Sequence, residues 1–199
     1  MHLNRGILLS GGMDSIAIAY WKRPSIAFTV DYGQKSAEGE IRAAKRVSEL
    51  LEMDHHVIDV DCSSFGSGNL SNNSPLSIAP VPEWWPYRNQ LIITLACMKG
   101  ISLGISELMV GSVKTDELHR DGSEKFYSKI SDLTEYQEGG IRITSPAIHM
   151  DTIELIKISK IPLSMLYWAH SCHTSSQPCM NCGGCRKYLY VLQGLGIEQ

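Results

Sequence analysis

The stretch Gly6-Ile-Leu-Leu-Ser-Gly-Gly-Met-Asp-Ser15 constrains this chain more than any other. Its short apolar run, Ile7, Leu8 and Leu9, is bounded by turn residues and predicts a buried strand. Ser10, Gly11 and Gly12 follow, and then an apolar-rich segment from Ile16 to Trp21 that suits a helix. Strand, glycine turn and helix together leave unpaired backbone N–H groups and the positive helix end at one spot. A phosphate is the natural occupant. Gly11 and Gly12 carry no Cβ to hold it away, and Ser10 and Ser15 add hydroxyl donors. Asp14 would repel a phosphate unless a cation intervenes, so it reads as a Mg²⁺ neighbour. The simpler alternative is a tight turn with Asp14 as a helix cap. Serines on both sides and an Asp inside the loop favour the nucleotide. The loop lacks the spacing and the lysine of a Walker A motif.

The following segments repeat the strand–helix alternation. Residues 25–30 predict a second strand ending at Asp31-Tyr-Gly-Gln34, and residues 38–51 carry a helical apolar stripe through Ile41, Ala44, Val47 and Leu51. Residues 57–60 make a third strand, with His55 and His56 as structural residues at its start. This β-α-β-α-β order calls for a parallel sheet, whose ligands gather beyond the carboxyl ends of the strands. The glycine loop and Asp31-Tyr-Gly-Gln34 are therefore expected to share a cleft. Residues 62–82 turn to Ser, Asn, Gly and Pro and read as a lid or a disordered segment. Trp84 and Trp85 read either as a hydrophobic plug or contact surface, or as a stacking platform. Arg88, at the edge of a helix over 91–103, is placed to clamp phosphate or carboxylate oxygens. A fourth strand is expected over 107–111, a helix over 124–136, a last strand over 141–144, and a helix over 151–159 capped by Asp151 or Thr152. The polar run 112–126, with Asp116 and Asp121, is a solvated surface or a substrate loop.

With 199 residues, 43% of them hydrophobic, the chain is most simply one domain over 1–199. A net charge of −3 argues against a non-specific grip on nucleic acid. No apolar run reaches membrane-spanning length and no secretory pattern opens the chain, so a cytoplasmic protein is expected. Cys172, Cys179, Cys182 and Cys185 form a Cys-x₆-Cys-x₂-Cys-x₂-Cys array within the segment 168–190. Four thiolates at this spacing suit a structural Zn²⁺, with Gly183 and Gly184 making the turn between the last two ligands. An iron–sulfur cluster competes, although nothing else in the chain points to redox work. His170 and His173 read as loop histidines, and Cys97 as core.

The Ser10–Ser15 loop resembles that of the PP-loop ATP pyrophosphatases, which implies ATP splitting at the α-phosphate. Adding Asp31-Tyr-Gly-Gln34, Pro86-Tyr-Arg-Asn89 and Trp168-Ala-His-Ser-Cys172 with its cysteine array, the chain from about Gly6 to Arg186 resembles the QueC, or 7-cyano-7-deazaguanine synthase, family. That resemblance implies an adenine-nucleotide α-hydrolase-like α/β fold with a five-stranded parallel sheet, a zinc site of four cysteines and a homodimer. It implies conversion of 7-carboxy-7-deazaguanine, ammonia and ATP to the nitrile. Ser10, Gly11, Gly12, Met13, Asp14, Ser15, Asp31, Gly33 and Gln34 would bind ATP with Mg²⁺. Trp84, Arg88, Asn89, Asp116 and Asp121 would bind the substrate, and Asp14 and Arg88 would act in catalysis. The family's Tyr-Pro and Cys-Arg elements are missing from 112–126, which leaves the acyl acceptor open. QueC-like branches also accompany bacterial antiviral gene sets, where a protein amine could replace ammonia. A PP-loop tRNA-modifying enzyme and a zinc-ribbon interaction module are the competing readings.

Overall fold

The computed structural model describes residues 4–197. Five strands form one parallel sheet in the order β3-β2-β1-β4-β5: β1 Asn4–Leu8, β2 Ile26–Asp31, β3 Asp54–Asp59, β4 Ile105–Met109 and β5 Arg142–Thr144. The chain steps outward from β1 to β3, then returns to lay β4 on the other side of β1. This reversal opens a crevice beyond the carboxyl ends of β1 and β4, where open α/β sheets bind ligands. The expected α/β architecture is the one observed.

Burial explains where the sequence signals were strong. Ile26 to Val30 are all buried, an apolar run broken only by Thr29, as befits a strand covered on both faces. At the sheet edge β3 begins at Asp54, three residues before the expected start, because an edge strand tolerates polar side chains. His55 Nε2 there lies 2.8 Å from Thr29 Oγ1, which itself donates to the Leu9 carbonyl at 2.7 Å.

Helices cover both faces: α1 Met13–Lys22, α2 Ala37–Leu51, α3 Arg88–Ser102, α4 Glu124–Tyr136, α5 Thr152–Ser159, α6 Leu163–Leu166 and α7 Gly183–Gly194. On one face Ile7 and Leu9 pack with Ile16 of α1, Val47 of α2, Leu155 of α5 and Leu192 of α7. On the other, Phe28, Leu108 and Ile143 pack with Ile93 of α3 and Ile130 of α4. Each large side chain fully buried in this way stabilises the fold by roughly 1.5–3 kcal/mol. Asp151 caps α5 in a reciprocal box: its Oδ1 accepts from the Glu154 amide at 2.8 Å, and Glu154 Oε2 accepts from the Asp151 amide at 2.9 Å.

Three stretches differ from expectation. Residues 62–82 fold back on themselves through single 3₁₀ turns at Ser63–Phe65 and Gly68–Leu70, and Leu70 is buried with Tyr32 and Trp85. The Asn69 amide closes this loop on the Pro82 carbonyl at 2.7 Å. Helix α3 starts at Arg88 because Tyr87, at φ 57°, turns the chain just before it. Gly183 and Gly184 do not form a turn; they open α7, whose cap is Cys182. Gly184 is needed for another reason: a Cβ there would collide with the Ser171 carbonyl oxygen. Helices α6 and α7 were both unforeseen. No helix among the described residues is long and apolar enough to cross a membrane.

Candidate active site

A cavity of about 290 Å³ occupies the crevice, bounded by the carboxyl ends of β1, β2 and β4 at Ser10, Tyr32 and Gly111. Its floor is the Ser10–Ser15 loop. Gly11 takes φ +76°, and a Cβ there would come within 2.8 Å of both the Ala43 Cβ and the Glu40 carbonyl. The loop therefore lies directly on α2, and only glycine fits. Ser15 Oγ donates to the Gly12 carbonyl at 3.0 Å and stands 3.3 Å from Ser10 Oγ. The first-turn amides of α1 have no intrahelical partner and end at this floor. Gly111 allows β4 to approach closely, since its Cβ would lie 3.0 Å from that of Ser15.

Charged groups converge from distant segments. Arg88 lines the cavity; burial works against its charge, and Tyr32, Asp121 and Glu40 more than offset that, holding it above the ordinary arginine range. Its Nε donates to Asn89 Oδ1 at 3.2 Å, and Asn89 Nδ2 donates to the Asp121 carbonyl at 2.9 Å. Glu40 receives Ser36 Oγ at 2.6 Å and Gln34 Nε2 at 3.0 Å, yet burial holds its carboxyl above the usual range. Across the floor, Lys187 of α7 donates to Asp14 Oδ2 at 2.8 Å and lies 3.9 Å from Asp116 Oδ1. Asp14 Oδ1 is buried without a hydrogen-bond partner. Burial raises Asp116, partly offset by Lys187 and by the Val113 amide, which donates to Asp116 Oδ2 at 3.0 Å.

Of the four clustered cysteines, Cys172 lines the cavity, beside His173 and Gly184. The sulfurs of Cys172, Cys179, Cys182 and Cys185 all lie within 4.8 Å of one another, so the four could hold a metal ion. Backbone amides support them: Cys182 N donates to Cys179 Sγ at 3.3 Å, Cys185 N to Cys182 Sγ at 3.4 Å, and His173 N to Cys182 Sγ at 3.3 Å. Thr174 and the Asn181 amide hold the Cys179 thiol down to about 5, whereas burial pushes Cys185 up to about 12. This all-sulfur donor set fits a soft tetrahedral cation.

The family model described as "Queuosine biosynthesis protein QueC" matches residues 6–194. This chain belongs to the QueC family. Among curated relatives, a 7-cyano-7-deazaguanine synthase from Methanococcus maripaludis is 25% identical over 89% of this chain and 88% of its own. One from Desulforudis audaxviator is 28% identical, covering 91% and 92%, and one from Pyrococcus horikoshii is 24% identical, covering 99% and 96%. A solved NMN synthetase from Francisella tularensis aligns with 98% of this chain and 78% of its own at 17% identity and TM-score 0.43, too loose a likeness to carry an argument.

Against this QueC background the predicted residues divide. Ser10, Gly12, Met13, Asp14, Ser15, Arg88 and Asn89 line the cavity. Gly11, Asp31, Gly33 and Gln34 are not among its lining residues. Asp31 Oδ1 accepts from the Gly33 amide at 3.0 Å, Gly33 at φ +91° backs onto Ser63, and Gln34 Oε1 accepts from the Tyr32 amide at 2.9 Å. These bonds shape the turn so that Tyr32 faces the cavity instead. Trp84 lies outside it; Trp85 is a plug, edge-on to Tyr32 with ring centroids 5.0 Å apart. Asp116 and Asp121 are not among the lining residues; Asp116 lies 3.9 Å from Lys187, and the charge of Asp121 favours that of Arg88. Cys97 is core, as expected.

Sequence reasoning missed Lys187, Glu40 and Tyr127, all of which line the cavity. Glu40 did leave a signal, since it falls one turn ahead of Ala44 on the buried stripe of α2. Lys187 left none beyond its nearness to Cys185. The two histidines are more engaged than loop residues. The His170 amide donates to the Gly11 carbonyl at 2.8 Å, tying the cysteine segment to the glycine loop.

Proposed function

We propose that this QueC-family chain activates the carboxylate of 7-carboxy-7-deazaguanine with ATP and passes the acyl group to ammonia. The observation carrying this reading is the single cavity in which the Ser10–Ser15 cradle, Arg88 and Lys187 meet. A substrate carboxylate oxygen attacks the α-phosphorus of ATP, and pyrophosphate leaves with the bonding electrons into the amide-lined floor. Those amides are oriented before the charge develops, which is where electrostatic stabilisation is most effective. Ammonia then adds to the acyl carbon of the mixed anhydride; AMP departs, a proton is released, and an amide results. A second ATP activates the amide oxygen in the same way, and loss of AMP and the nitrogen's protons leaves the nitrile.

No side-chain nucleophile is required; the chain's residues position and stabilise. Arg88, with its planar fork, suits the substrate carboxylate or the α-phosphate. A Mg²⁺ arriving with ATP would neutralise phosphate charge, and Asp14 fits it, since its buried Oδ1 lacks a partner. Zn²⁺ on the four cysteines would hold the cavity wall. We also propose that the chain acts in the cytoplasm as a homodimer, by its likeness to the family.

Pyrophosphate release from ATP that depends on the deazaguanine carboxylate is the expected result. Release independent of that carboxylate, or none at all, sinks the reading. Mass spectrometry of the product with ammonia, and separately with a protein amine, decides between nitrile, amide and conjugate.

A further inference from the structure

Lys187 is not an ordinary surface lysine. It faces the cavity, donates to one oxygen of Asp14 and stands between two carboxylates that would otherwise repel each other. Asp14 lies in the first turn of α1, so the ammonium sits at a helix N-terminus, where a cation is disfavoured. The arrangement is electrostatically incomplete: Asp14 Oδ1 has no partner, and amides and ammonium together face an open floor. An anion bearing several oxygens would accept from the amides and the ammonium, and the cation that accompanies it would answer Asp14 Oδ1.

Lys187 lies on the helix whose first turn carries two of the cysteines. Helix α7 opens on Gly183 and Gly184, each of which costs a helix about 1 kcal/mol relative to alanine. Packing imposes Gly184, because the Ser171 carbonyl leaves no room for a Cβ. The first turn is held instead by Cys182, whose sulfur caps the helix, and by the buried Cys185. The far end of α7 is anchored separately by Val191 and Leu192 in the core. Lys187 lies between the two anchors, two residues beyond Cys185. Resting on the reading of the cavity as a pyrophosphate-releasing site, we propose that Lys187 is the second phosphate-contacting cation, and that metal held by the four cysteines fixes it there. The cysteine site then governs how the leaving group is bound, in addition to holding the fold.

Titration calorimetry with inorganic pyrophosphate tests this on the metal-loaded protein. Lys187→Met is expected to weaken binding by about tenfold or more, whereas Lys187→Arg stays within about threefold. Circular dichroism and metal content serve as controls, and Lys187→Gln, which keeps a donor to Asp14, substitutes if the methionine variant does not fold. Removing the metal with a chelator is expected to weaken pyrophosphate binding of the unmodified chain by a similar factor, to leave Lys187→Met scarcely changed, and to be reversed by Zn²⁺. Equal binding by Lys187→Met and the unmodified chain overturns the proposal, as does metal removal that weakens both alike. Pyrophosphate binding needs no acyl substrate. A chain that binds it through Lys187 yet releases none from ATP and the carboxylate refutes the proposed reaction alone; one that never binds pyrophosphate refutes both.

Discussion

Lys187 Nζ and Asp14 Oδ2 meet at 2.8 Å across 173 residues of chain, joining the cysteine-capped helix to the glycine loop. The pair is unequal: 39% of the Lys187 side chain is exposed but only 15% of Asp14. Losing Asp14 leaves a lysine that water can solvate; losing Lys187 leaves a buried carboxylate without its cation. Asp14→Asn is therefore expected to cost less than about 1 kcal/mol, and Lys187→Met about 1–3 kcal/mol, in urea unfolding. The reverse order would show that the pair is not buried as described. In the carboxylate-dependent pyrophosphate assay Asp14→Asn should lose about 100-fold or more.

In the proposed role Arg88 uses its planar fork as well as its charge, which it holds half-buried at the cavity wall near Tyr32 and Glu40. Arg88→Lys should lower carboxylate-dependent pyrophosphate release by about tenfold or more, with the melting temperature changed far less. Retention of full activity would reduce Arg88 to a structural cation.

Gly11→Ala should destabilise by about 1–3 kcal/mol, since φ +76° and the contacts at 2.8 Å both oppose a methyl group. Gly104 has a similar φ of +68° but open space around it, so Gly104→Ala isolates the backbone cost alone. Guanidinium unfolding of the two variants should rank Gly11→Ala as the more damaging, and equal losses would mean that the loop does not press on α2.

Glu40 supplies the pH dependence. Its folded-state pKa stands above the unfolded value because burial penalises the carboxylate. The folded state thus holds the proton more tightly, and stability falls as pH rises from the ordinary Glu range toward the raised value. Glu40→Gln removes that slope, so its melting temperature should gain on the unmodified chain as pH rises above the ordinary Glu range of about 4. A difference independent of pH would contradict this assignment.

Removal of metal from the purified protein should lower the melting temperature and restore four titratable thiols at Cys172, Cys179, Cys182 and Cys185. Elemental analysis should find zinc, with no visible absorption. A brown chromophore would replace zinc with an iron–sulfur cluster.

The alternation of Ile7–Leu9, the glycine loop and the α1 segment was legible because strand, turn and helix are written in neighbouring residues. So was the cysteine spacing, since ligand distances depend mainly on local chain geometry. Asp31-Tyr-Gly-Gln34 was located correctly at a strand's carboxyl end, but the side chain that faces the cavity was not the expected one. Its Asp and Gln close hydrogen bonds within the turn, and Tyr32 turns inward. Helix α7 was hidden because its first residues, Gly183 and Gly184, favour turns in isolation.

What the order of residues determined alone was the sheet's construction, a phosphate-sized floor and a sulfur cage, each encoded within a few consecutive positions. Packing alone decided that Glu40 and Arg88 share one end of the cavity and that Lys187 answers Asp14 at the other. Such meetings depend on how the helices on each side of the sheet come to rest, and no local period or spacing specifies that.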